Sequence, residues 1–199
     1  MARTVELKVF KFEELSKEAQ KKAIQDNYEV NIHDCWSDDI ISHWKYEAET
    51  GFNIEKIFFS GFYSQGDGAM FEGTINFDII DYLTPLHDSE EYKRNRERVF
   101  KLIRNENIDV CGRFRQEGRY YHHKSYSENL EFEILTKYER IIEVILDIRQ
   151  EIKNYYEETC KSIYRELERY YEISTSDEAI IESLICNEYE FLIDGERYY

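Results

Sequence analysis

Residues 58–73 read FFSGFYSQGDGAMFEG. Upstream, FNIEKIFFSGF (residues 52–62) is rich in β-branched and aromatic residues, and downstream AMFEGTINFDI (residues 69–79) is similar. Between them, YSQGDG sets Gly66 and Gly68 around Asp67. Two strand-type runs joined by a segment that tolerates positive φ predict a β-hairpin. An antiparallel sheet therefore lies near the middle of the chain. The tip has two readings. It is a turn that needs glycine for its backbone. Or Gln65, Gly66, Asp67 and Gly68 line a pocket through side chains and backbone N–H groups, with Tyr63 and Phe71 as flat walls for stacking. Gly66-Asp67-Gly68 lacks the Gly-Lys-Ser/Thr ending of a phosphate loop. It also opens no helix, so it is not a dinucleotide fingerprint.

Downstream, residues 107–135 (NIDVCGRFRQEGRYYHHKSYSENLEFEIL) are again strand material, with Gly118 in a turn. Tyr120, His122, Lys124 and Tyr126 are expected on one strand face, and Tyr121, His123 and Ser125 on the other. With the hairpin this gives a central sheet of four or more strands. The same stretch is a basic island on an acidic chain: Arg113, Arg115, Arg119, His122, His123 and Lys124. Arg113 and Arg115 share a face and can fork onto a phosphate or carboxylate. Tyr121 and its neighbours add rings, so the mixture suits a small phosphorylated or nucleotide-like molecule. The competing reading pairs these cations with nearby Glu and Asp.

Helices flank the sheet. TVELKVF (residues 4–10) is expected as an opening strand, and Ser16 as the N-cap of a first helix with Ala19, Ala23 and Ile24 inward. A second helix is expected over residues 37–49, where Trp36 and Trp44 flank Ile40 in the core. A third is expected over residues 89–105, after a break at Pro85, with Tyr92, Val99, Phe100, Leu102 and Ile103 inward and its Lys and Arg outward. The longest runs over residues 138–171. Ile141, Ile145, Ile148, Ile152, Tyr155, Thr159, Ile163, Leu167 and Tyr170 make a near-heptad stripe about 50 Å long at 1.5 Å per residue. It either lies across the sheet or in part projects to pair with another subunit. A short helix begins in STSDEAIIESLICN, and EYEFLI is a last extended segment. With no Gly/Ser or Pro-rich linker, the expectation is one α+β domain over residues 1–199, its sheet packed by helices.

The net charge of -16 opposes general nucleic-acid or anionic-membrane binding, because phosphates repel an acidic field. It leaves room for a basic partner or for a small anion in a local basic pocket. Cys35, Cys111, Cys160 and Cys186 have no metal-type spacing. The start of the chain has no apolar signal core, and no run reaches the length of a membrane span. A cytoplasmic protein with reduced thiols is the simplest expectation. No metal is expected: His122 and His123 should face opposite ways, and His33-Asp34 and His87-Asp88 are not spaced ligand sets. Asp67 and Glu72 are one possible acid/base pair among many carboxylates. No nucleophile motif is present, so no catalytic residue and no cofactor is assigned.

Four stretches recur together in a known order: ELSKEAQKKAI, IFFSGFYSQGDGAMFEG, GRYYHHKSYS and TSDEAIIESLICNEYEFLIDG. The chain resembles a family of small tailed-bacteriophage proteins often labelled "antitoxin of toxin-antitoxin stability system". The likeness covers about residues 10–195. Its members are richer in tryptophan around the second helix than CWSDDIISHW (residues 35–44), which keeps Trp36. The resemblance implies phage origin and action in the cytoplasm of an infected bacterium, and it carries over no catalytic residue. Joined to the basic island and the glycine tip, it leads to the expectation of an anti-defence protein that sequesters a nucleotide-like ligand without turnover. An acidic, antitoxin-like inhibitor of a host protein is the alternative, and a nucleotide-cleaving enzyme the third.

Overall fold

β-branched and aromatic residues make strands of the middle segments, and Ser16, Ser89 and Ser176 cap helices that follow them in the chain. The computed structural model describes residues 6–33, 35–134 and 141–198. The strands are β1 (Phe10–Lys11), β2 (Phe52–Ser60), β3 (Gly68–Ile75), β4 (Ile108–Gln116), β5 (Tyr126–Ile134), β6 (Glu190–Phe191) and β7 (Arg197–Tyr198). The α-helices are α1 (Lys17–Asp26), α2 (Asp38–Tyr46), α3 (Glu90–Arg104), α4 (Ile142–Ser174) and α5 (Asp177–Cys186). One-turn 3-10 helices follow β1 and β3. The fold is α+β, as expected, with a four-stranded antiparallel sheet in the order β2-β3-β4-β5 and one long helix.

The chain forms two compact units where the sequence reads as one: Asp39–Leu167, and Met1–Asp38 together with Glu168–Tyr199. The first holds the large sheet. Phe114 of β4 and Tyr126 and Glu128 of β5 face α4, because side chains alternate along a strand. Tyr156 of α4 is fully buried there, its ring 4.0 Å from Phe114, 4.5 Å from Phe71 and 4.6 Å from Tyr126. Its hydroxyl donates to the Phe71 carbonyl at 2.6 Å, so the polar tip is satisfied inside the core. Ile148, Ile152, Ile163 and Leu167 continue the buried stripe. The stripe is therefore core against the sheet, with Tyr170 exposed at its far end. Tyr138, its expected start, lies outside the described residues.

One face of α3 departs from expectation. Arg96 lies inward with Tyr92, Val99 and Phe100, not outward with the other cations. Its Nε donates to both oxygens of buried Glu151, at 3.2 and 2.9 Å. The Tyr92 hydroxyl, at 2.7 Å, and the Leu86 N–H, at 3.0 Å, also donate to Glu151. Arg96 gives a further bond to the Leu83 carbonyl at 2.8 Å, so both buried charges are well partnered.

The other unit has its own core of Phe12, Leu15, Ala19, Ala23, Ile180, Leu184 and Phe191. Its sheet has the order β1-β6-β7. Ser16 and Ser176 cap α1 and α5 by accepting from Ala19 and Ala179, at 3.2 and 3.3 Å. The opening strand is only Phe10–Lys11 among the described residues, and residues 6–9 are irregular. Trp36 belongs to this unit and stacks on Tyr170 at 6.0 Å. Trp44 instead donates its indole N–H to Glu166 at 2.7 Å, within the larger unit.

Candidate functional site

The tip between β2 and β3 is built around Asp67. One carboxylate oxygen accepts the N–H groups of Tyr63 and Ser64, at 3.0 and 2.6 Å. The Asp67 N–H returns a bond to Ser64 O at 3.1 Å, and Gly66 takes φ +101° in the turn between them. Asp67 is thus committed to holding the loop. Gln65 and Tyr63 lie exposed on its outside.

The histidines do not lie on a strand. β4 ends at Gln116 and β5 starts at Tyr126, so residues 117–125 are a loop. The sequence places their side chains alternately on two faces; a turn at residues 123–124 removes that alternation. His122 and His123 instead have ring centroids 3.8 Å apart. The loop folds back on the hairpin: Tyr121 stacks on Phe58 at 5.3 Å. A Cβ at Gly68 would sit 3.0 Å from Tyr121 O and 3.1 Å from His122 Cα, so any larger residue would push the loop outward by a few tenths of an ångström.

A cleft of about 240 Å³ opens where tip and loop meet α4. Gly68 and Ala69 form its floor, His122 and His123 one wall, and Lys161, Tyr164 and Arg165 the opposite wall. Cys160 closes it from below, and burial pushes its thiol up to about 12. Lys161 is paired with Glu158 at 2.6 Å and holds that carboxyl below its ordinary value. Tyr164 donates to Gly61 O at 3.1 Å, tying α4 to the tip. The His122 Nδ1 accepts the Lys124 N–H at 3.3 Å, which leaves its proton on Nε2. His123 is held neutral: burial first, then His122, Lys161 and Lys124, lower it to about 4 against the opposing pull of Glu158.

The expected site residues are therefore divided. Asp67, Gly68, His122 and His123 come together, with Gly66 and Tyr121 supporting them. Phe71 is fully buried against Tyr156 and is core, not a ligand wall. Arg113 binds Glu55 on the sheet face turned away from α4, because odd-numbered β4 residues face that side. Arg113 and Arg115 line a separate hollow of about 280 Å³ with Ser127 and Asn129. Arg119 and Lys124 are exposed on the loop. A larger cavity of about 620 Å³, lined by Phe77, Ile103, Ile108 and Val110, contains none of the expected residues. Among the described residues no group of three His, Cys, Asp or Glu is placed to hold a metal ion.

Sequence reading missed the α4 wall. Lys161 and Arg165 are four residues apart and Tyr164 lies between, so helical spacing sets all three on one side. That signal was present, but it sat beside an apolar stripe that accounts for the helix by packing alone.

A family model described as Domain of unknown function (DUF8835) matches residues 13–177, and the chain belongs to that family. No curated protein and no solved structure matches it. No helix among the described residues is long and apolar enough to cross a membrane.

Proposed function

We propose that this family member is a binding protein that holds a small phosphorylated, nucleotide-like ligand in the cleft between the hairpin tip, the histidine loop and α4, without turnover. The observation that carries the reading is the convergence of Lys161 and Arg165 with two imidazoles around one cleft. Two cationic side chains suit phosphate oxygens. Holding is favoured over cutting because Asp67 already accepts two backbone N–H groups and the Cys160 thiol stays protonated. In the setting implied by the sequence resemblance, a tailed phage in an infected bacterium, such a protein withdraws a nucleotide signal from host defence.

Titration calorimetry with nucleoside mono-, di- and cyclic phosphates tests this. Binding heat is expected, with the ligand recovered intact after denaturation. The double variant K161M/R165M should weaken binding by about tenfold or more, since each charge-assisted bond is worth roughly 1.5–3 kcal/mol. No heat and no thermal shift with any of these ligands would overturn the reading. Recovery of a cleaved ligand would make the protein an enzyme. A salt-sensitive complex with a basic host protein, without nucleotide binding, would favour an acidic inhibitor, in keeping with the charge of -16.

A further inference from the structure

The cleft carries little net charge of its own. Lys161 faces Glu158 and Arg165 shares the wall, while Asp67 closes the hairpin side. The two cations are thus matched by two carboxylates. A phosphate monoester brings close to two negative charges at neutral pH. Fixed side chains alone do not balance it, and among the described residues lining the cleft the imidazoles are the side-chain type that ordinarily gains charge near neutral pH.

The geometry decides which imidazole gains it. His122 Nδ1 is engaged by the Lys124 N–H, so protonating that nitrogen breaks a bond that shapes the loop. The two rings are 3.8 Å apart, so both cannot be charged at once without strong repulsion. His123 lies between His122 and Lys124 on its own loop and Lys161 and Glu158 on α4. Burial first, with the positive charges of Lys161 and Lys124 nearby and against the pull of Glu158, keeps it neutral. A bound dianion reverses the sign of that field.

Resting on the phosphate-binding reading above, we infer that the cleft is a proton-coupled site, in which His123 takes up one proton from solvent for each phosphate monoester dianion that binds. With His123 protonated, the loaded cleft carries about the same single negative charge that a phosphodiester brings without a proton. A phosphodiester, with a single charge and no need of the extra proton, binds without this coupling. The site therefore distinguishes a terminal phosphate from a bridging one by protonation as well as by shape.

Calorimetry with adenosine 5′-monophosphate at pH 7.5, in buffers of different ionisation enthalpy, counts the protons. Uptake of about one per ligand is expected, with affinity falling about tenfold per pH unit over the range where the free His123 is neutral and the bound one protonated, and levelling off above the bound-state midpoint. H123N should abolish the uptake and weaken binding, and H122Q should keep the uptake. The ring signals of His123, followed by NMR through a pH titration, should move to a higher midpoint when the nucleotide is present. A merely structural histidine would not change the proton count. Binding with no proton uptake would overturn this inference alone. Absence of any binding by the nucleotide, with the fold intact by circular dichroism, would overturn it together with the phosphate-cleft reading. Uptake lost in H122Q but kept in H123N would overturn the assignment to His123.

Discussion

Glu151 is 2% exposed, yet it carries a charge in the middle of α4. Arg96, Tyr92 and the Leu86 N–H make that possible by filling its acceptor sites. Removing one partner should cost more than the pair contributes, because an uncompensated charge stays behind. R96M is expected to destabilise the protein by about 3–5 kcal/mol in urea unfolding, and R96M/E151L to recover much of that loss. If the double variant is no more stable than R96M, this account of the pair is wrong. The sequence hid the arrangement. An arginine on a basic helix looks solvated, and nothing local in α3 marks a glutamate 55 positions away as its partner. Ser16 was legible as a cap because a cap is a local hydrogen bond, and like Ser89 and Ser176 it accepts from the N–H three residues on.

At the level of elements, the hairpin and the β4–β5 pair were legible because alternation and glycine are read over a few residues. The loop at residues 117–125 was not. RYYHHKSYS is as β-prone as a strand, and only packing against the β2–β3 tip holds it out of the ladder. Its register with the tip depends on the close pass at Gly68. G68V should lift the loop from the floor of the cleft and cut nucleotide affinity by about tenfold or more, since a misplacement near 1 Å has effects of that order. The sheet itself should persist, as seen in an unchanged far-ultraviolet spectrum. Unaltered affinity in G68V would show that the loop and the tip do not form one site. Half of the cleft was legible, the tip and the two histidines. The α4 wall was not, because it lies about 40 residues downstream and its charges resemble an ordinary solvated flank.

For the whole molecule, acid should be the weak side. Unfolded, His123 titrates near its ordinary 6.5; folded, it titrates near 4. Between these values the unfolded chain binds more protons, so stability is full above pH 6.5 and declines as pH falls toward 4. Glu128 acts in the same direction: despite burial, Lys153 and Arg149 hold its carboxyl below the ordinary value. A melting temperature that falls steadily from pH 7 to pH 4, with a shallower slope in H123Q, is expected. An identical slope in H123Q would remove the histidine from the cause. The fold class was legible at this scale, and the division into two compact units was not, because the boundary falls inside the unbroken helix α4. That division bears on the order of events at the ribosome. Residues Asp39–Leu167 are contiguous and have every strand of the larger sheet once they have emerged. Met1–Asp38 emerges first but must wait, as an unfinished half, for a complement translated more than a hundred residues later. Residues 1–38 thus find their partner segment only after all of the larger unit that lies between them has been translated.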